Sequence, residues 1–250
     1  MIIRLMIIGA VLLTGRLGFA LTTEEVLADI RQKTDPVSSN SYTGTSHNYL
    51  SNEVIEWKIF IKKPYFSRHE TISSIKGTTV YLDDGEWREA IYNGEVFKSP
   101  KAEQGKVDFF PISDQDLGVE LGFVREDVVD GQEVYILEKR KPPEIDLQEL
   151  KEGFKAWGIK DSEAEDRAKD QVAKTISRVE YVIRKADGML LKRTSYAVTG
   201  KVLSEETYRD YQLNIDLPME LFHFVHSEGA GVDQHQSVGQ FQEAVDQGWW

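Results

Sequence analysis

The sequence predicts an α+β protein that is mainly antiparallel β-sheet, and three observations lead there. Apolar and polar residues alternate over a series of short stretches, the pattern of a strand with one buried and one wet face. Asp-Gly and Asn-Gly dipeptides separate those stretches, which is the chemistry of tight hairpins. Helical periodicity is confined to one segment near the N-terminus and two pieces that interrupt the strands.

Met1-Ile2-Ile3-Arg4 makes a short basic start, Leu5 to Gly15 is an apolar run, and Gly18-Phe19-Ala20 offers small residues where a signal peptidase reads. The run is shorter than the roughly 20 apolar residues a transmembrane helix needs, and Arg16 ends it. Residues 1–20 are therefore expected to be a cleaved signal peptide; an uncleaved anchor and a buried N-terminal helix are the alternatives. The mature chain is expected to start near Leu21 and to be soluble and extracytoplasmic, with no stable membrane insertion, because no later stretch is apolar and long enough to span a bilayer.

Thr22 and Glu25 stand at capping-box spacing ahead of Val26, Leu27 and Ile30, so an amphipathic helix is expected to begin there and end before Asp35-Pro36. From Ser41 the period becomes two. In Glu53–Ile61 the residues Ile55, Trp57, Ile59 and Ile61 share one face, and Glu56 and Lys58 the other. Similar stretches recur at Tyr65–Ile75, Thr78–Leu82, Glu86–Tyr92, Glu133–Lys139, Arg178–Lys185, Met189–Val198 and Glu205–Ile215. Asp84-Gly85, Asn93-Gly94, Asp130-Gly131, Asp187-Gly188 and Thr199-Gly200 are read as hairpin turns. Strands joined in this way are antiparallel neighbours, and a long meander with one apolar face must curl to bury it.

Two helical pieces interrupt the strands. A short one is expected over Asp114–Leu121, after the apolar Phe109-Phe110-Pro111-Ile112. The larger follows Pro142-Pro143: Leu147, Leu150, Phe154 and Trp157 form a stripe that Gly158 interrupts. Ser162 and Glu165 then offer a cap for a charged helix running to about Lys174, whose thin stripe of Ala164, Ala168 and Val172 leaves most of it to water. Residues 226–250, rich in Gly, Gln and Ser, are expected to be a disordered polar tail.

Composition narrows the function. At 250 residues with 40% hydrophobic content, one β-rich domain over 21–225 has ample core. A net charge of −12 repels phosphate backbones and anionic membrane faces, so no nucleic-acid partner is expected. The absence of cysteine removes disulfides, thiolate metal sites and cysteine nucleophiles. No phosphate-binding loop or Gly-x-Ser-x-Gly elbow occurs. His223 and His226 lack a third ligand nearby, and His47 and His69 are read as wet-face strand residues. With 42 carboxylates, closeness in sequence selects no acid–base pair. No catalytic residue, metal or cofactor is expected, and the chain is read as a non-enzyme. The alternation shows that a face is buried and leaves open whether protein or ligand covers it.

The order of elements resembles the LolA-like family of periplasmic lipoprotein carriers. A signal peptide leads into one helix. The strands Glu53–Ile61 and Tyr65–Ile75 turn at the basic-basic-Pro element Lys62-Lys63-Pro64, and Leu82-Asp83-Asp84-Gly85-Glu86-Trp87 follows. Late in the chain, Val182-Ile183 to Ala186-Asp187-Gly188-Met189-Leu190-Leu191-Lys192-Arg193 is similar to the family's penultimate hairpin. Tyr211-Gln212-Leu213-Asn214 with Leu217-Pro218 and Leu221-Phe222 is similar to its closing strand and terminal lock. The resemblance implies an incomplete, unclosed curved β-barrel wrapped over a few helices, whose apolar concave face receives the acyl chains of lipoproteins or lipids. A transfer partner in the envelope is a further implication. On this reading Ile55, Trp57, Ile59, Ile61, Tyr181, Ile183 and Leu213 line the cavity and Lys63 stands at its mouth. Two features depart from the family: Lys63 replaces an Arg associated with cargo transfer and lacks its planar fork of donors, and the helical insertion at about 142–174 replaces a short connection. The alternatives are an envelope-stress sensing or regulatory module of the same fold, and a secreted enzyme acting on an envelope lipid or polymer.

Overall fold

The computed structural model describes residues 21–92, 95–100, 109–112, 121–140, 146–223 and 232–234. Helix α1, Thr23–Thr34, opens as its capping box requires: the Glu25 amide donates to Thr22 Oγ1 at 3.2 Å and the Thr22 amide to Glu25 Oε2 at 2.8 Å. The expected signal segment, the short helix before Leu121 and the Asn93-Gly94 turn lie outside the described residues.

The strands are β1 Ser39–Asn48, β2 Glu53–Lys62, β3 Phe66–Ser73, β4 Gly77–Asp83, β5 Trp87–Tyr92, β6 Glu95–Pro100, β7 Leu121–Val129, β8 Gln132–Arg140, β9 Ile176–Arg184, β10 Leu190–Ala197, β11 Val202–Leu213 and β12 Val232–Gln234. They form one sheet in the order β12-β6-β5-β4-β3-β2-β1-β11-β10-β9-β8-β7. The runs β1–β6 and β7–β11 are each antiparallel meanders, and the antiparallel pairing of β1 with β11 joins them. β12 pairs with β6 in parallel and takes up three residues of the expected tail. β7 and β12 are edges, so the curved sheet does not close into a full barrel.

The turn chemistry holds where it is described. Asp130 and Gly131 between β7 and β8 both have positive φ, 49° and 76°, as a two-residue hairpin of this type requires. The β9–β10 turn presses on α1: a Cβ added to Gly188 would lie 3.0 Å from Thr34 Cγ2 and 3.1 Å from the Ile30 carbonyl oxygen. The Lys33 ammonium donates to the Lys185 carbonyl beside it, so the end of α1 is fixed to this hairpin.

The main core lies between α1 and the sheet. Val26 and Ile30 form one buried cluster with Phe110, Ile112, Tyr135, Leu137, Val179, Tyr181, Ile183 and Leu190. On the opposite face of β8–β10, Val134, Ile136 and Val182 make a smaller cluster. After β11 the chain crosses the outer face of β2–β4. The Lys62 ammonium donates to the Leu217 carbonyl at 2.6 Å, Arg68 donates to the Leu221 carbonyl at 3.1 Å, and the Phe222 ring meets Phe66 at 5.7 Å. Phe222 is 1% exposed, which accounts physically for the terminal lock.

Between β8 and β9 the chain makes a helical hairpin of α2, Leu147–Ala156, and α3, Asp161–Lys174. Asp146 caps α2, its carboxylate accepting from the amides of Gln148 and Glu149. The cap expected at Ser162 is not used: α3 starts at Asp161, after Lys160, without a side-chain cap. Ala164 and Ala168 of α3 are fully buried, whereas α2 buries no residue. No helix among the described residues is long and apolar enough to cross a membrane.

Candidate functional site

Register places four rows of side chains across the concave face. Leu213, Asn40, Ile61 and Ser67 form one, and Tyr42, Ile59, His69, Tyr81 and Ala90 the next. Tyr208, Gly44, Trp57, Thr71 and Thr79 form the third, and Tyr181, Arg193, Glu206, Ser46, Ile55 and Ser73 the fourth. The stripe Ile55, Trp57, Ile59 and Ile61 therefore runs along β2 on the concave side, crossing all four rows.

Two hollows lie on this face. The first, about 180 Å³, lies where Phe109-Phe110-Pro111 crosses the sheet, and Asn40, Tyr42, Ile61, Met189, Leu190, Tyr208 and Tyr211 complete its lining. Tyr42 stacks on Tyr211 at 5.0 Å and meets Tyr208 at 6.1 Å. The second, about 430 Å³, is lined by Ile55, His69, Thr71, Thr79 and Tyr81 together with Glu53, Ser73 and Lys76. Trp57 stands between them, 5.6 Å from the Tyr208 ring and over the bare Cα of Gly44, where a Cβ would lie 2.4 Å from Trp57 Nε1.

The phenols and the imidazole of this face carry no charge near pH 7. Burial, with Glu206 adding to it, pushes the Tyr42 phenol up to about 12. Burial likewise raises Tyr208 and Tyr211, so all three stay protonated over the physiological range. His69 is lowered by burial, against the opposing pull of Asp83, and stays neutral near pH 7. Arg193 and Glu206, also on this face, are matched to each other. Arg193 Nη1 lies 2.9 Å from Glu206 Oε1, and the Tyr208 hydroxyl donates to Glu206 Oε2 at 2.5 Å. Burial works against the Arg193 charge, yet Glu206 beside it holds the guanidinium above its ordinary value.

The residues singled out from the sequence separate into three groups. Ile61 lines the first hollow, and both Ile61 and Leu213 pack against Val37, Phe109 and Met189. Ile55 lines the second hollow, and Ile59 and Trp57 lie between the two. Tyr181 and Ile183, 1% and 0% exposed, fill the core under α1. Lys63 donates to the Asp35 carbonyl at 2.8 Å and lies 5.0 Å from the Phe109 ring, so it joins the end of α1 to a residue lining the first hollow. The Lys63-Pro64 peptide is cis.

His69 corrects the sequence reading: it faces the concave side, packed edge-on to Tyr81 at 5.9 Å, and not a wet face. Tyr42, Tyr208, Tyr211, Asn40 and Phe109–Pro111 were not read from the sequence as lining a cavity. One available signal was Gly44, because a glycine inside a strand marks close approach by another group.

No protein-family model matches the chain, and no curated protein is significantly similar to it. Among solved structures, an uncharacterized conserved protein from Thermus thermophilus is similar with a TM-score of 0.55 at 12% identity, covering 85% of this chain and 98% of that one. At that identity the likeness is one of fold. A LolA superfamily protein from Nitrosomonas europaea matches with a TM-score of 0.33 at 13% identity, over 82% of this chain and 99% of that one. The Mycobacterium tuberculosis lipoprotein LppX matches with a TM-score of 0.41 at 11% identity, over 78% of this chain and 98% of that one. Scores this low add nothing to the argument from the structure itself.

Proposed function

We propose that the chain is an extracytoplasmic binding protein, not an enzyme, that carries or accepts the acyl chains of a lipid or lipoprotein on its concave face. The supporting observation is the pair of hollows on one aromatic-lined face, joined along β2 by Ile55, Trp57, Ile59 and Ile61. Each methylene moved from water onto such a face contributes ~0.8 kcal/mol, so a chain of a dozen or more carbons is held without covalent chemistry. Protonated phenols and a neutral His69 add no charge that an acyl chain would have to desolvate. Ile55, Trp57, Ile59, Ile61 and Leu213 are assigned to the wall and Lys63 to the mouth. Tyr181 and Ile183 become wall only where α1 moves aside.

Native mass spectrometry of the protein purified from its own cells tests this. Bound species with the masses of lipids or an acylated protein are expected. Protein that is consistently empty and also ignores an added acylated peptide would sink the proposal.

A second reading, a regulatory module of the same fold, is favoured by α2. Its apolar side borders a groove of about 530 Å³ lined by Leu150, Phe154 and Trp157, with Asp146 and Glu149 among its acidic lining residues. Trp157 is 81% exposed. A partner segment with apolar anchors and basic ends fits that surface.

A further inference from the structure

The first hollow holds a polar atom that hydrocarbon cannot satisfy. Asn40 is 2% exposed and lines the hollow, and among the described residues its Oδ1 has no hydrogen-bond partner. Its Nδ2 donates to Met189 Sδ, 3.8 Å away. A buried polar group left unmatched costs about 1–3 kcal/mol, so such groups in a native fold call for a partner. Among the described residues no charged side chain lines this hollow, and Arg193 and Glu206 nearby satisfy each other.

We infer that the cargo is an amphiphile whose apolar chain carries a neutral hydrogen-bonding group, a hydroxyl or a secondary amide, which docks against Asn40. This rests on the carrier reading and specifies its ligand. A hydroxyl or an amide both donates and accepts, so it matches the Asn40 carboxamide whichever way round that group is turned. Asn40 Oδ1 is not open to water in this conformation. The cargo reaches it by parting the Phe109–Pro111 strap from the sheet, which is also what enlarging a hollow of about 180 Å³ for an acyl chain requires. A plain alkyl chain entering the same place leaves that atom unmatched.

The test is competition on the full mature chain, with a fluorescent fatty acid displaced by hexadecanoic acid, by a series of hydroxyhexadecanoic acids with the hydroxyl at different carbons, and by an N-acyl amide of equal length. At least one hydroxyl- or amide-bearing competitor is expected to bind about tenfold more tightly than the plain acid, which corresponds to about 1.4 kcal/mol. Asn40→Leu is expected to abolish that preference, read as the ratio of the affinities for the polar competitor and the plain acid. Equal affinity of every competitor for the wild-type chain overturns this inference alone, and needs no variant to fold. A preference that survives Asn40→Leu also overturns it. Failure of the fluorescent acid and all competitors to bind overturns the carrier reading, and this inference with it.

Discussion

Trp57 sits over Gly44, and that one contact shows how closely the concave face is fitted. A Cβ at position 44 would lie 2.4 Å from Trp57 Nε1, 2.5 Å from Trp57 Cε2 and 2.6 Å from the Thr207 carbonyl oxygen, so it fits only if the indole and a neighbouring strand shift. Gly44→Ala is expected to destabilise the fold by ~1–3 kcal/mol, the usual cost of overpacking, as measured by urea denaturation. Unchanged stability would contradict the placement of Trp57. Period two made the β2 stripe readable because its partners there pair without interruption. It could not reveal the tyrosines. The ladder between β1 and β11 shifts register between Ser41 and Thr43, and Asp210 takes a positive φ of 57° opposite that shift. Tyr208 and Tyr211, three residues apart, thereby share a face that strict alternation would divide between them.

The hairpins and α1 were legible as elements, because capping boxes and Asp-Gly turns are local chemistry. β1 is less so: Ser39–Asn48 is mostly Ser, Thr and Asn, and it forms a strand because β2 and β11 pair with it on both sides. The joining of the two meanders through β1 and β11 spans most of the chain and leaves no local trace. The α2–α3 hairpin was legible in its apolar stripe, yet period alone does not tell a stripe that packs on the sheet from one left facing outward. Here α2 buries none of its residues, and only α3 presents fully buried alanines. Deleting residues 142–174 and reconnecting β8 to β9, whose ends pair at Arg140 and Arg178, is therefore expected to leave acyl binding intact in the competition assay. Loss of acyl binding in a folded deletion would make the hairpin part of the cargo site. Retained lipid binding with loss of a pulled-down envelope protein would favour the regulatory reading.

At the scale of the molecule, an unclosed sheet solves the problem that the alternating sequence poses. The half of the concave face under α1 is filled by protein, with Tyr135, Leu137, Val179, Tyr181 and Ile183 packed on Val26 and Ile30. The half built on β1–β5 has no helix among the described residues packed into it, and its apolar rows border the two hollows. That division explains why residues with one sequence pattern, such as Ile183 and Ile55, have different surroundings. Periodicity reports that a face avoids water and is silent on what covers it. The most direct test of the central claim is photolabelling with a fatty acid bearing a diazirine on its chain, followed by peptide mapping. Labels on the segments holding Ile55–Ile61, His69–Tyr81 and Tyr208–Leu213, competed away by unlabelled acid, are the predicted result. Labels confined to the outer face around Phe222 or to the α2–α3 groove, with the concave strands unlabelled, would contradict it.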